Sequence, residues 1–192
     1  MFALGIRYLN GFVVASEPDS RDRPEWPPHP GRVFMALAAA HFQTDGDPAE
    51  GDALRWLEAL PQAPTIRAPE ARAGAVVTHY VPVNDKAIRQ KKKKGDRPPP
   101  GLQSAPGVLR VRNARTLARV VLDDEIVYLS WAKADPSESI RHALHSLCAN
   151  VTRIGHSSSL VQMWVAAPDE VGEPNWLPDD DRATVQLRLA AA

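Results

Sequence analysis

The stretch from Gln90 to Gly107 cannot enter a hydrophobic core, and it sorts the rest of the chain into two sets of elements. It holds Lys91, Lys92, Lys93 and Lys94, then Pro98-Pro99-Pro100-Gly101, then Pro106-Gly107. Ammonium groups stay in water, and proline offers no N–H to a helix or a ladder. Residues 85–116 therefore read as a long arm rooted in the flanking elements.

The arm is also where the charge gathers. Lys86, Arg89, Lys91, Lys92, Lys93, Lys94, Arg97, Arg110, Arg112, Arg115 and Arg119 are eleven of the 23 basic residues, and the only acid among them is Asp96. The formal net charge is zero, so the remainder of the chain is acidic by the same margin. A dipolar chain of this kind suits an anionic partner on its basic side. The alternative is a solvated loop that happens to be basic. One-sided charge on an arm rooted between strands favours nucleic acid.

Before the arm, Phe2, Leu4, Ile6 and Tyr8 alternate with Ala3, Gly5 and Arg7, the period of a half-buried strand, which Phe12 to Ala15 extends. Ser16 to Pro30 is polar, proline-rich and irregular. Gly31 to Gln43 reads as a helix whose Ala38-Ala39-Ala40 lets it lie close on a sheet. A second helix starts at the cap Asp47 and the first-turn Pro48 and runs to Leu60. Gly74 to Val83 reads as the second core strand. After the arm, Leu117 to Leu122 and Ile126 to Trp131 form a strand pair turning at Asp123-Asp124. Asp135-Pro136 with Glu138 signals a helix carrying Ile140, Ala143, Leu144, Leu147, Cys148 and Val151 on one stripe. Leu160 to Val165 is a strand, residues 167–182 are a proline-rich acidic loop, and Ala183 to Leu189 is a last short strand. The whole is a single α+β domain over residues 1–192: a ferredoxin-like β-α-β-β-α-β pattern with one extra helix and the arm between the second and third core strands.

Several chemistries are excluded or weak. No apolar run approaches the roughly 20 residues of a membrane span. A secretory signal is not apparent, and Cys148 is the only cysteine, so the cytoplasm is the expected compartment. No phosphate-cradling, dinucleotide or nucleophile-elbow motif occurs, and no metal or cofactor is implied. Cleavage of RNA would need a histidine near a second proton-transfer group or a cation. His29, His79 and Tyr80 are the candidates; each is more often a packing or hydrogen-bonding residue, as are His41, His142 and His145. The turn Gly155-His156-Ser157 could offer amides and hydroxyls to a phosphate, or be an ordinary helix-to-strand loop.

Four stretches carry a family resemblance. They are Leu4-Gly5-Ile6-Arg7-Tyr8-Leu9, the block from Arg23-Pro24-Glu25-Trp26-Pro27-Pro28-His29-Pro30-Gly31-Arg32 through Ala40, Val77 to Asp85, and Arg153-Ile154-Gly155-His156-Ser157-Ser158-Ser159-Leu160-Val161. Together they resemble the Csb-two family, the fused Cas-five/Cas-six protein of subtype I-U (I-G) CRISPR systems. The resemblance implies a RAMP protein on a ferredoxin-like fold. It implies a Cascade-like partner set: crRNA capped at its 5′ handle, the backbone and large subunits, and target DNA near the PAM end. It makes Arg32 an RNA contact and sets Gly155-His156-Ser157 beside the handle. It further implies that the Cas-six-like nuclease half lies outside this chain, which leaves RNA binding without catalysis. Metal-independent endoribonuclease action and a protein-interaction module with a basic tail are the rivals.

Overall fold

The computed structural model describes residues 1–44, 46–82, 112–179 and 185–189. Strand β1 (Phe2–Tyr8) is central because both its edges are paired and one of its faces is wholly apolar. It runs antiparallel to β8 (Ile126–Trp131), with Leu4 opposite Leu129 and Ile6 opposite Val127. On its other edge lies β9 (Val161–Val165), with Ile6 opposite Met163. The fourth strand of the sheet is β3 (Thr65–Arg67), which adds Ile66 beside Leu129. The order β3-β8-β1-β9 is second, third, first and fourth of the core strands, the arrangement of a ferredoxin-like sheet.

Three helices cover the face formed by Phe2, Leu4, Ile6 and Tyr8. They are α1 (Pro30–Gln43), α2 (Pro48–Glu58) and α3 (Glu138–Asn150). Helix α1 turns Val33, Leu37 and Ala40 inward, and α3 turns Ala143, Leu144, Leu147 and Cys148 inward. The Asp47 carboxylate caps α2 by accepting from Ala49 N at 2.8 Å. A buried polar knot ties the helices together: Glu50 of α2 bonds His41 of α1 at 3.2 Å and accepts from Ser146 of α3 at 3.0 Å. A carboxylate in such a place is tolerable only with its oxygens satisfied.

Beyond the main sheet, Gly11, at φ 64°, turns the chain into β2 (Phe12–Val14). Strand β2 pairs with β7 (Arg119–Leu122), which pairs in turn with β4 (Ala71–Ala73). A separate two-stranded ribbon joins β5 (Val77–Pro82) to β6 (Arg112–Leu117). Sheet, helices and the position of the inserted segment therefore agree with the pattern read above, but several assignments within it change.

The second core strand is β3, not Gly74 to Val83. A three-residue strand between Pro64 and Pro69 carries no legible period, and β3 is held instead by Trp176, whose backbone exchanges two 2.9 Å hydrogen bonds with Ile66. Leu117 to Leu122 is split at the buried Ala118 between two sheets, so β7 and β8 are not a hairpin. Phe12–Val14 likewise leaves the first sheet instead of prolonging β1. At the arm's end, Arg112–Leu117 is strand; it is polar on both faces because the ribbon is wet on both, so no alternation shows. The cap of α3 is Ser137, whose Oγ accepts from Ile140 N at 3.4 Å, and Pro136 is buried just ahead of it. Residues 185–189 form no strand; the Arg188 carbonyl instead accepts from Gly31 N at 2.8 Å.

Candidate nucleic-acid interface

The blocks around Tyr8, Arg32 and His156, far apart in sequence, meet at one end of the main sheet. The turn after β1 touches the turn after α3: Leu9 N donates to Leu160 O at 3.0 Å and Asn10 Nδ2 to Ser158 O at 3.0 Å. Strand β2 joins them, because Val14 N donates to the buried Ser159 Oγ at 2.8 Å and His156 N donates to Val14 O at 3.1 Å. Gly155 makes the junction possible. Its φ is +83°, and a Cβ there would sit 3.0 Å from Val14 O and 3.7 Å from Arg32 Cδ.

Beneath this junction lies a buried carboxylate. Glu25 is 2% exposed and accepts from Arg32 Nε at 2.7 Å and Arg32 Nη2 at 2.6 Å, a bidentate pair. It also accepts from His29 N at 3.2 Å. Arg32 Nη2 further reaches Ser16 O at 3.4 Å. The bond to Glu25 holds the Arg32 guanidinium even more firmly protonated than usual. Two neighbours are left short of partners: Tyr8 Oη is buried without a hydrogen bond, and His29 Nδ1 stands 3.4 Å from Glu25 Oε2 without hydrogen-bond geometry. Burial first, and then Glu25, pushes the Tyr8 phenol far above its ordinary range. A cleft of about 410 Å³ opens over Glu25, His29, Arg32, Phe34, Met35 and Arg188.

His29 is only 5% exposed, and burial, partly offset by Glu25, lowers its pKa below 6.5. Its neutral form is thus the one the fold accepts. Between 6.5 and the depressed value the unfolded chain binds a proton that the folded chain refuses. Stability from this residue is complete above pH 6.5 and is lost as the pH falls through that window. Urea melts of wild type and His29→Gln at pH 7 and pH 5 are expected to show a smaller acid loss in the variant. Equal losses would mean that His29 does not titrate against folding.

The other candidates lie elsewhere. His156 and Ser157 are exposed on the turn, where His156 Nδ1 bonds Ser158 Oγ at 2.8 Å. On the ribbon, the backbone register sets His79 opposite Arg115, Tyr80 opposite Ala114 and Pro82 opposite Arg112. Every residue from Val77 to Val81 and from Asn113 to Arg115 is exposed, Tyr80 by 66%. Arg119 is built into the second sheet: its guanidinium lies 5.8 Å from the Phe12 ring centre, and Gly74 rests on its stem. Lys86, Arg89, Lys91, Lys92, Lys93, Lys94, Arg97 and Arg110 lie outside the described residues. Sequence reasoning missed Glu25, Asn10 and Ser159. An acid inside the apolar, proline-bounded Pro24-Glu25-Trp26-Pro27 was the one available signal for Glu25.

Fold and surface define a class: a small α+β protein on a β-α-β-β-α-β sheet, with an exposed ribbon leading into a cationic segment. Among the described residues no helix is long and apolar enough to cross a membrane. A model of the CRISPR-associated protein GSU0054 family matches residues 2–192, and the chain belongs to that family. It is therefore a protein of a CRISPR defence system, with other CRISPR components as its partners. No curated protein matches the chain.

Proposed function

We propose that this chain holds crRNA in a type I-U (I-G) interference complex, as the Cas-five-like half of a Csb-two RAMP protein. It caps the 5′ handle, works in the cytoplasm, and touches the backbone and large subunits and the target DNA near the PAM end. The observation that carries this is the β5–β6 ribbon. It is inserted in the chain between the second and third core strands as a separate sheet, exposed on both faces, and the chain that joins its ends contains eight of the eleven clustered cations. A two-stranded ribbon has little stability of its own in water, so exposed Val77 and Val81 on the face of Arg115, and exposed Tyr80 on the other face, call for a ligand. Single-stranded RNA suits that surface, since aromatic rings stack bases while cations follow the phosphates. Arg32, His156 and Ser157 add a second contact at the corner described above.

Filter binding with repeat RNA tests this directly. Tight association at low ionic strength that weakens steeply with salt is expected; indifference to polyanions at low salt would end the reading. One observation favours a second reading. His79 sits directly across from Arg115, a proton-transfer group beside a cation on an open surface. If the chain itself processes precursor crRNA, repeat RNA will be cut in EDTA and His79→Ala will abolish the cut.

A further inference from the structure

We infer that Glu25 is a positioning residue that fixes Arg32 and the Gly155–Ser159 turn as one preformed seat for a single phosphodiester; this rests on the RNA-holding reading above. A buried ion pair is not by itself a reason for stability, because well-packed apolar residues serve as well or better. What the pair supplies here is geometry. Glu25 takes Arg32 through Nε and Nη2, which fixes the guanidinium plane, and the carboxylate is itself anchored by His29 N. Glu25 N also donates to Ala15 O at 2.9 Å, next to the residue that receives His156 N. Arg32 Nη1 keeps no partner among the described residues. Its stem underlies Gly155, and the next residues, His156 and Ser157, are exposed. An anion at that edge would meet a guanidinium N–H held by Glu25 and an imidazole held by Ser158 Oγ, with the exposed Ser157 hydroxyl on the same turn. A free arginine would instead lose rotamer freedom on binding.

Simple electrostatics predicts the opposite effect of removing Glu25, and this makes the inference decidable. Glu25→Gln deletes a negative charge beside the site, so a purely coulombic surface would bind RNA more tightly. The preformed seat predicts about tenfold weaker binding. The experiment is filter binding of the full chain to a labelled single-stranded RNA of mixed sequence, over a salt series, with thermal melts of every variant. Arg32→Lys is expected to lose a similar factor, and the double variant is expected to bind no more weakly than Arg32→Lys alone, since the two act as a unit. If Glu25→Gln does not melt cooperatively, Glu25→Asp decides, because it keeps the charge and retracts the carboxylate by one methylene. It is expected to weaken binding with the salt slope unchanged. Affinity equal to or above wild type in the deciding variant, or additive losses, overturns the seat. Wild type without RNA affinity overturns the RNA reading, and the seat with it, and is recognisable as that separate result.

Discussion

Phe2→Ala is expected to cost about 3–5 kcal/mol, a large share of the stability of an ordinary domain of about 5–15 kcal/mol. Phe2 is fully buried at the start of the central strand. Its ring meets Trp56 of α2 edge-on at 5.3 Å between centroids and stacks on Trp131 of β8 at 5.6 Å. One truncation therefore empties the space between a helix and the sheet and forfeits two aromatic contacts. For a chain of this size the melting temperature is expected to fall by on the order of 10 °C. Phe42→Ala is the matched control: the same atoms are removed from a ring that is 81% exposed, and the change is expected to stay within roughly 0.5 kcal/mol. Similar losses in both variants would mean that α2 does not dock where Phe2 requires.

The contrast between Phe2 and Phe42 also shows what the sequence could and could not convey. The alternation from Phe2 to Tyr8 describes one buried face, and that face is where the helices lie. Asp47-Pro48 marked the start of α2 because a cap and a fixed φ act within one turn of chain. Strand β3 left no such mark. It is three residues long and is stabilised by Trp176, more than a hundred positions away, so no local window holds the information. Gly74 to Val83 reads as the second core strand because branched residues signal strand without saying which sheet receives it; its Val77–Pro82 is the ribbon strand β5. The topology survived that error, since an insertion between the second and third core strands is the same insertion whichever neighbouring segment is named second.

The corner site divides along the same line. Arg32, His156 and Ser157 were legible as residue types in a recognised block. What each one does depends on contacts at long range. The bond from Val14 N to Ser159 Oγ spans 145 positions, and it holds the turn on which His156 stands. Glu25 looked like one more acid in an irregular stretch, and only the fold puts it at 2% exposure under a guanidinium. Long-range polar contacts write no period into a sequence. Apolar faces do.

Charge behaves differently again, because a run of cations acts through its field whether or not its backbone adopts one shape. Reversing Lys91, Lys92, Lys93 and Lys94 to glutamate changes the arm from strongly basic to near balance, while every core residue is left alone. Each phosphate neutralised on a single strand contributes about 0.7 to the slope of log affinity against log salt. If the four lysines each hold one phosphate, the slope should flatten by about 3, and affinity at low salt should fall on the order of 100-fold or more. The melting curve should not move, since a run of lysines that cannot enter a hydrophobic core contributes within about 0.5 kcal/mol. Arg115→Gln on the described ribbon supplies the graded case, with a loss of slope near 0.7 for one cation. Unchanged affinity and slope in the quadruple reversal would take the arm out of RNA holding and leave the corner of Glu25, Arg32 and His156 to carry it alone.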